Sequence, residues 1–317
     1  MKFTQVSRLL NIIHKTAHKI NSFVSMSTPA TVEPHPLAAN PDKCYIQLSK
    51  DGRYEKLEKL EPSKLYENPK NSESIRFVCI SDTHNKTDNY HERIPDGDVL
   101  IHAGDFTATS ADDEIVHFTN FLGKIAHKFT HVVVIAGNHE ISFDPLTWNK
   151  GGPMVAAFKA WMGRNPLSGR SNPEKSKQLL SNCTYLENET IQLYGINIYG
   201  SPTTPTHHDL GFNKSRGEDI LNEWNRIPND TDILITHGPP LGIGDLCTSG
   251  YRAGCAELLS TVLDRVHPKF HVFGHIHEDA GVFKCGGTTF VNPASCDKKY
   301  RCVQDPVVFD YHIADEK

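Results

Sequence analysis

The order of apolar and amphipathic segments predicts an α/β protein. Short apolar runs recur between residues 75 and 311, and segments with the 3.6-residue period of an amphipathic helix lie between them. A short polar cluster stands at or just beyond the end of five of these runs. In open α/β folds ligands gather beyond the carboxyl ends of the strands, so these clusters mark the expected functional site.

The predicted strands are short and almost wholly apolar, as expected for strands that are covered on both faces. They lie at residues 75–80, 99–102, 132–135, 233–235 and 270–273. A hairpin is predicted over residues 191–199, with Gly195 near its turn, because glycine suits a tight turn. Late strands are predicted over residues 288–292 and 307–311.

Two amphipathic helices are predicted between the strands. The first covers residues 112–128 and has one apolar face, formed by Ile115, Phe118, Phe121, Leu122 and Ile125. The second covers residues 253–266, with Ala256, Leu259, Val262 and Leu263 on one face. The alternation alone predicts α/β and does not give the number of sheets.

The five polar clusters predict a site for two metal ions. Two dications held about 3.5–4 Å apart need a bridging carboxylate and a ring of imidazole and oxygen ligands. A lone Asp-x-His is more often a turn cap or a satisfied core histidine, but five such clusters in order favour metal binding. They are Asp82-Thr83-His84, Gly104-Asp105, Gly137-Asn138-His139-Glu140, His237-Gly238 and Gly274-His275-Ile276-His277.

The spacing within the clusters explains the choice of residues. Asp82 and His84 lie two positions apart, so an extended or just-unwinding backbone points both side chains to one side. His275 and His277 repeat this spacing. Asp105 follows a predicted strand and a glycine, which suits a carboxylate that bridges two ions at a strand end.

With these clusters in this order, the chain resembles the calcineurin-like metallophosphoesterase superfamily over about residues 73–317. The strings at 136–140 and 273–278 resemble, more narrowly, the animal metallophosphoesterase domain-containing (brain-type) phosphodiesterases. The resemblance implies a four-layer αββα sandwich, in which two mixed β-sheets are flanked by helices.

The resemblance also implies the role of each residue. The first metal is expected on Asp82, His84, Asp105 and His277, and the second on Asp105, Asn138, His237 and His275. His139 matches the family's non-ligand histidine, which protonates the leaving oxygen or stabilises charge on the phosphoryl group. The alternative is that His139 only pairs with a nearby carboxylate.

The function implied by the resemblance is phosphoester hydrolysis, with in-line attack by a hydroxide that bridges the metals. We expect a phosphodiesterase acting on cyclic nucleotides or similar small phosphodiesters, with Mn as the first choice of metal and Fe, Zn or Mg as others. The alternatives are a binding or scaffold protein on the same fold and a small-molecule phosphomonoesterase. Retention of His139 and His275 favours an enzyme, because a scaffold needs neither.

Two departures from the motifs of related families narrow the class of phosphoesterase. Purple acid phosphatases carry a tyrosine ligand three residues after the bridging aspartate, where this chain has Ala108. Ser/Thr protein phosphatases follow that aspartate with Val-Asp-Arg-Gly, whereas Asp105 is followed here by Phe106-Thr107-Ala108-Thr109. Both classes are therefore disfavoured.

Composition limits the partners and the compartment. The formal net charge of −5 gives no general attraction for a long nucleic acid, so a small anionic substrate is expected. No apolar run is long enough for a membrane span. Eight cysteines without Cys-x-x-Cys spacing indicate reduced thiols and a cytoplasmic location.

The first part of the chain differs in character from the rest. Residues 1–72 are predicted to form an extension with a basic amphipathic segment at 1–25 and a linker, ahead of a catalytic domain at 73–317. A mitochondrial presequence is the minority alternative for 1–25. Residues 142–181 are either packing helices with a surface loop or a cap over the metals, and residues 202–208 are candidates for lining the same cleft.

Overall fold

The computed structural model describes residues 31–164 and 172–313. The strands in these ranges are β1 (Glu58–Leu60), β2 (Ser74–Ile80), β3 (Val99–Ala103), β4 (His131–Ile135), β5 (Thr184–Leu186), β6 (Glu189–Leu193), β7 (Ile196–Ser201), β8 (Thr204–Pro205), β9 (Asn213–Lys214), β10 (Ile233–Thr236), β11 (Phe270–Val272), β12 (Gly281–Cys285), β13 (Thr288–Asn292) and β14 (Val307–His312).

The α-helices are α1 (Pro41–Lys50), α2 (Asp112–Ile125), α3 (Pro145–Lys150), α4 (Pro153–Arg164), α5 (Pro173–Leu179), α6 (Glu218–Trp224) and α7 (Ala256–Ser260), and α7 continues as a π-helical turn over Thr261–Val266. Short 3-10 helices occupy Pro62–Lys64, Tyr90–Arg93, Ala126–Lys128, Ile141–Phe143 and His277–Asp279.

The strands form two large mixed sheets and one small ribbon. The larger sheet has the order β1-β12-β13-β11-β10-β7-β6, and the smaller one has the order β14-β2-β3-β4-β5. In the larger sheet a parallel centre is flanked on both sides by antiparallel pairs. In the smaller sheet β2, β3, β4 and β5 are parallel, and only β14 at one edge is antiparallel. Strands β8 and β9 pair separately.

The core is continuous between the inner faces of the two sheets. Because side chains alternate along a strand, every second residue points into this core. The smaller sheet supplies Phe77, Ile101 and Val133, and the larger sheet supplies Ile198, Ile235 and Val272. The two sheets therefore pack face to face.

Helices cover the outer faces. Val78 and Ile80 of β2 pack against the apolar face of α2, which contributes Phe118 and Leu122. On the other side Leu234 packs with residues of α6 and α7, and Trp224 is fully buried there. The four layers are the αββα sandwich that the resemblance implied.

The predicted strands are present, and outside the hairpin their ends differ from the prediction by at most one residue. The predicted hairpin is β6 and β7, which are antiparallel, with Gly195 at φ +84° in the turn. The second predicted helix begins at Ala256 rather than at 253, because Cys255 is extended and its backbone N–H donates to the carbonyl oxygen of Pro239.

Residues 32–72 belong to the same compact unit as the sheets, whereas the sequence analysis placed the boundary at 72/73. Strand β1 pairs antiparallel with β12 at the edge of the larger sheet. Cys44 of α1 is buried against Leu241 and Ala256, and Arg53 forms a two-point ion pair with Asp264. Burial and pairing of this segment move the start of the folded unit to Val32.

Several expectations fall outside the described ranges. The basic segment at residues 1–25, with the mitochondrial alternative, lies there, and so does part of the predicted cap, residues 165–171. No helix within residues 31–164 and 172–313 combines the length and apolarity needed to cross a bilayer.

Candidate metal centre

The polar clusters meet where the strands of both sheets end. Each follows a strand directly or by one residue: β2, β3 and β4 of the smaller sheet and β10 and β11 of the larger sheet. Backbone pairing continues past these ends, since Asp82 N–H donates to Gly104 O and Gly274 N–H donates to His237 O. The structure therefore brings together all seven predicted ligands: Asp82, His84, Asp105, Asn138, His237, His275 and His277.

A first group of donor atoms surrounds Asp82. The Nε2 atoms of His84 and His277 lie 3.1 Å apart. His277 Nε2 is 3.4 Å from Asp82 Oδ1, and His84 Nε2 is 3.8 Å from Asp105 Oδ2. These four residues are the ones that the resemblance assigned to the first metal.

A second group shares Asp105 with the first. His237 Nε2 lies 3.3 Å from Asp105 Oδ2 and 2.9 Å from Asn138 Oδ1. The rings of His237 and His275 are 5.1 Å apart, and candidate ligand atoms of Asp105, His237 and His275 all lie within 4.8 Å of one another. Asp105 thus stands between the two groups.

The spacing of these atoms fits cations. Two ligands that are each about 2.1 Å from one ion at tetrahedral or octahedral angles lie about 3.0–3.4 Å apart. The separations around His277 and His237 fall close to this range. Carboxylate, amide and imidazole donors also suit divalent ions of the Mn, Fe, Zn and Mg group.

Glycines keep the space beside these ligands open. A Cβ atom at Gly137 would overlap the Asp105 carboxylate, and one at Gly274 would overlap the Asp82 carboxylate. At Gly104 a Cβ atom would lie 2.6 Å from His237 Nδ1. The glycines of the clusters are therefore required by close approach of backbone to ligand.

Hydrogen bonds fix which ring nitrogen of two histidines faces the group. His237 Nδ1 donates to Ala103 O at 2.9 Å, and His277 Nδ1 donates to Asp297 O at 3.2 Å. A carbonyl oxygen only accepts, so Nδ1 carries a proton in both residues, and in the neutral imidazoles the Nε2 lone pairs point toward the ligand groups. Such an outer hydrogen bond is common for histidines that bind metals.

The backbone at the ligands is left-handed. The φ angles of Asp82, His84, Asp105 and His275 are +52°, +42°, +56° and +70°. The sequence analysis expected an extended or just-unwinding backbone at Asp82 and His84, and these angles exclude the extended alternative. The chain instead turns sharply at the strand end, which aims both side chains at one point at the cost of backbone strain.

The titratable groups of the site strongly shift one another's pKa values. Burial alone would lower the pKa of His237, but Asp105 raises it to about 9. Burial likewise opposes charge on His277, whose pKa the Asp82 carboxylate raises to about 9. Because a ligating imidazole must be neutral, binding of a cation at these two residues releases protons.

The pKa values of the other two candidate histidine ligands, His84 and His275, are lowered rather than raised. Burial lowers the pKa of His84 and of His275 to about 3, so both rings are neutral at physiological pH. Burial would raise the pKa of the carboxyls of Asp82 and Asp105, but His277 and His237 respectively hold it below its usual range. The carboxylates are therefore charged and ready to attract cations.

Glu140 supports the bridge position, a role that the sequence analysis did not assign. Its buried carboxylate accepts hydrogen bonds from Asp105 N, Gly137 N, Thr107 N and Thr107 Oγ1, at 2.6–2.9 Å. Burial and the Asp105 charge raise its pKa to about 7. The signal in the sequence was its place in Gly137-Asn138-His139-Glu140.

His139 lies beside the ligand groups. Its backbone N–H donates to Asp105 Oδ1 at 2.9 Å, and its Nδ1 donates to Ala108 O at 2.7 Å. The ring meets that of His84 edge to face, with centroids 4.6 Å apart. A neutral His139 therefore carries its acceptor lone pair on Nε2.

A cavity of about 300 Å³ opens onto this cluster. His207 lines it, as the sequence analysis suggested for residues 202–208, whereas no described residue of the segment 142–181 lines it. Tyr251, Lys298 and Tyr300 also line the cavity, and sequence reasoning missed them because loop residues carry no periodic signal.

Comparisons with known proteins show which proteins this chain is similar to. The chain is 44% identical over 281 residues to the UPF0046 protein C25E10.12 of Caenorhabditis elegans, with 87% of this chain and 93% of that protein covered. It is 44% identical over 246 residues to Metallophosphoesterase domain-containing protein 1 of Homo sapiens, with 76% and 72% covered. Among solved structures, Phosphopantetheinyl Hydrolase (PptH) from Mycobacterium tuberculosis aligns at 15% identity with a TM-score of 0.45, covering 73% of this chain and 92% of that one.

The family model for calcineurin-like phosphoesterases matches residues 75–279, which span β2 through the His275 and His277 cluster. This range includes every predicted ligand and His139. The chain therefore belongs to the calcineurin-like phosphoesterase family.

Proposed function

We propose that this protein is a phosphodiesterase that hydrolyses cyclic nucleotides or similar small phosphodiesters with the help of two divalent cations. The observation that carries the proposal is the pair of ligand groups that share Asp105, with His139 beside them. The family membership supports a phosphoester hydrolase, and the choice of diesters rests on the narrower resemblance seen in the sequence.

The proposed ligands divide between two ions. Asp82, His84, Asp105 and His277 would hold the first, and Asp105, Asn138, His237 and His275 would hold the second. Two such cations supply Lewis acidity, which acidifies a water molecule and offsets the charge of a phosphate. Mn is the first choice, and Fe, Zn and Mg remain chemically suitable because the donor set contains no thiolate.

His139 is the proposed proton donor. Its Nδ1 proton is held by Ala108 O, which fixes the ring orientation. A protonated Nε2 then donates to the leaving oxygen or to a phosphoryl oxygen as negative charge develops there.

The absence of an Arg after Asp105 is consistent with small substrates. Asp105 is followed by Phe106, Thr107 and Ala108, and the Thr107 hydroxyl donates a hydrogen bond to the Glu140 carboxylate. Substrate binding then depends on the cations and the cavity walls rather than on an arginine clamp. The net charge of −5 likewise gives a long nucleic acid no general attraction.

We further infer a cytoplasmic location, because eight cysteines without paired spacing suit a reducing compartment. Cell fractionation of the full chain tests this inference. Enrichment in mitochondria would favour the alternative drawn from residues 1–25.

A substrate panel tests the function. Protein is stripped with a chelator, reloaded separately with Mn, Fe, Zn or Mg, and assayed with 2′,3′- and 3′,5′-cyclic nucleotides, a bis-aryl phosphate and the matching aryl monoester. We expect Mn to restore turnover and kcat/KM to favour a diester over the monoester by at least about tenfold, or about 1.4 kcal/mol. Preference for the monoester would contradict the diesterase, and metal binding without turnover would indicate a binding protein.

A further inference from the structure

We propose that Tyr300 and Lys298 form a subsite for the organic part of the substrate, in which a nucleobase stacks on Tyr300 while the Lys298 ammonium attracts the phosphate. This inference rests on the proposed function, because it names the part of the substrate that the cations do not bind. Both residues line the cavity that opens onto the ligand groups.

The two residues lie on a tight hairpin that joins Cys296 to Cys302, which are paired across it. Asp297 N–H donates to Arg301 O at 2.9 Å, and Tyr300 N–H donates to Asp297 O at 2.8 Å. The Asp297 carboxylate accepts from Lys299 N, Arg301 N and Arg301 Nε at 2.8–3.0 Å. The turn is thus held by its own hydrogen bonds.

The hairpin is fastened to a predicted metal ligand. His277 Nδ1 donates to Asp297 O, and Gln304 Nε2 donates to the carbonyl oxygens of His277 and Cys296, both at 3.3 Å. These hydrogen bonds tie the hairpin that carries Tyr300 to His277.

The ring of Tyr300 meets two proposed ligands edge to face. Its centroid is 4.9 Å from that of His84, with an interplanar angle of 76°, and 5.4 Å from that of His277, at 80°. Tyr300 nevertheless remains 49% exposed. Edge contacts with two ligands fix the ring at the cavity while part of it stays accessible.

The backbone of Tyr300 adopts an uncommon conformation. Its φ is +55°, a left-handed conformation that is uncommon for a bulky residue and suits Gly or Asn better. Because Tyr194 in the β6–β7 turn has the same φ, the angle alone assigns no role, and the place of Tyr300 beside two proposed ligands carries the inference.

The chemistry of the cavity wall suits a nucleotide. Tyr251, 43% exposed, lines the same cavity from the loop that is closed by the Leu246 and Arg252 pairing. Aromatic rings bind bases of any sequence by stacking, and a nearby ammonium favours the phosphate. A phosphoester without a flat ring would leave Tyr300 unused.

Ligand binding to the Mn-loaded full chain tests the tyrosine. Adenosine 5′-monophosphate and ribose 5-phosphate are compared by calorimetry in wild type, Tyr300→Leu and Tyr300→Phe. We expect Tyr300→Leu to weaken the binding of adenosine monophosphate about tenfold or more, and the binding of ribose phosphate less than about twofold. Tyr300→Phe retains the ring and should bind both ligands as wild type does.

Tyr194→Leu is the matched control. Tyr194 also has φ +55° and is 42% exposed, but it lies in the β6–β7 turn, outside the cavity lining. We expect no change in either affinity. Equal losses for both ligands in Tyr300→Leu, loss of bound Mn, or no loss at all would overturn the stacking role.

Lys298→Ala is compared with Lys299→Ala, a neighbouring exposed lysine outside the cavity lining. We expect Lys298→Ala to weaken the binding of both ligands about threefold or more at low salt. At high salt the loss should be smaller, because salt screens an exposed charge. An equal effect of both lysines would overturn the role of Lys298.

The kinetic arm separates this inference from the proposed function. Wild type and Tyr300→Leu are assayed with adenosine 2′,3′-cyclic phosphate and with methyl riboside 2′,3′-cyclic phosphate, which lacks the base. We expect Tyr300→Leu to raise KM about tenfold for the first substrate alone, with kcat nearly constant. Selective binding of adenosine monophosphate without turnover would refute the diesterase and uphold the subsite. Turnover of the diesters with no effect of Tyr300→Leu would uphold the diesterase and refute the subsite.

Discussion

At the scale of residues, the candidate metal centre is built by backbone geometry as much as by side chains. Asp82, His84, Asp105 and His275 adopt left-handed backbone, and such strain costs about 1–3 kcal/mol per residue. At Asp105 the backbone N–H donates to the buried Glu140 carboxylate, which also accepts from Gly137 N and from Thr107 N and Oγ1 and so holds this turn. The candidate ligand Asp105 is thus held in place by the protein itself.

Gly274→Ala tests the close approach of backbone to ligand. A Cβ atom there would overlap the Asp82 carboxylate and lie 2.6 Å from Ser81 Oγ, so Asp82 must move. We expect metal affinity to fall about 10–100-fold, the range seen when residues that orient ligands are changed. Gly287→Ala is the control, because nothing lies within 4 Å of its new Cβ atom. Equal metal affinity in both variants would refute the account of Gly274.

His139→Ala tests the proton donor. We expect kcat to fall about 10²–10⁴-fold, the usual contribution of a positioned general acid, while two metals per chain remain bound. His127→Ala is the matched control: His127 is exposed and precedes β4, whereas His139 follows that strand. A kcat close to wild type for His139→Ala would assign His139 a pairing role only.

At the scale of elements, β14 closes the smaller sheet by pairing antiparallel with β2. Arg76 and Asp310 stand opposite each other across this pair and form a two-point ion pair, with both N–O distances at 2.8 Å. The Asp310 side chain is only 1% exposed. Removal of either partner therefore leaves a buried charge alone.

Asp310→Asn is expected to lower the free energy of unfolding by about 3 kcal/mol, since it leaves Arg76 without its countercharge. Asp305→Asn is the control, because its side chain is 80% exposed and its pair with Arg93 is worth at most about 1 kcal/mol. Denaturant unfolding of the three proteins measures both values. Equal losses would contradict the account of this strand pair.

The pairing of Asp310 with Arg76 also predicts how the free energy of unfolding depends on pH. Burial would raise the pKa of Asp310, but the hydrogen bonds from Arg76 and Glu67 lower it below the unfolded value of about 3.9. A lowered folded pKa contributes stability that is complete above about pH 4 and is lost as the pH falls through the folded pKa. The stability difference between wild type and Asp310→Asn should therefore shrink below about pH 4.

The sequence predicted elements whose signal is local and missed those whose signal is not. Strands such as β2 and β10 are almost wholly apolar and were found within one residue. Strand β1 is a three-residue edge strand with two exposed residues, so no apolar run marks it. The hairpin that carries Tyr300 is specified by the hydrogen bonds of Asp297, which composition does not reveal.

At the scale of the whole molecule, the site exists only because two sheets meet. The clusters after β2, β3 and β4 come from one sheet, and those after β10 and β11 come from the other. Order and spacing predicted which residues gather, but the division into two sheets came from the family resemblance. Strand partners far apart in sequence leave no local periodic trace.

The central claim is that Asp105 is shared by two cations, which electron paramagnetic resonance of the protein loaded with Mn(II) tests most directly. Two Mn ions bridged by one carboxylate are magnetically coupled. The account predicts two Mn per chain with a coupled spectrum in wild type, and loss of the coupling in Asp105→Asn. Two uncoupled ions in wild type, or one ion per chain at saturation, would contradict it.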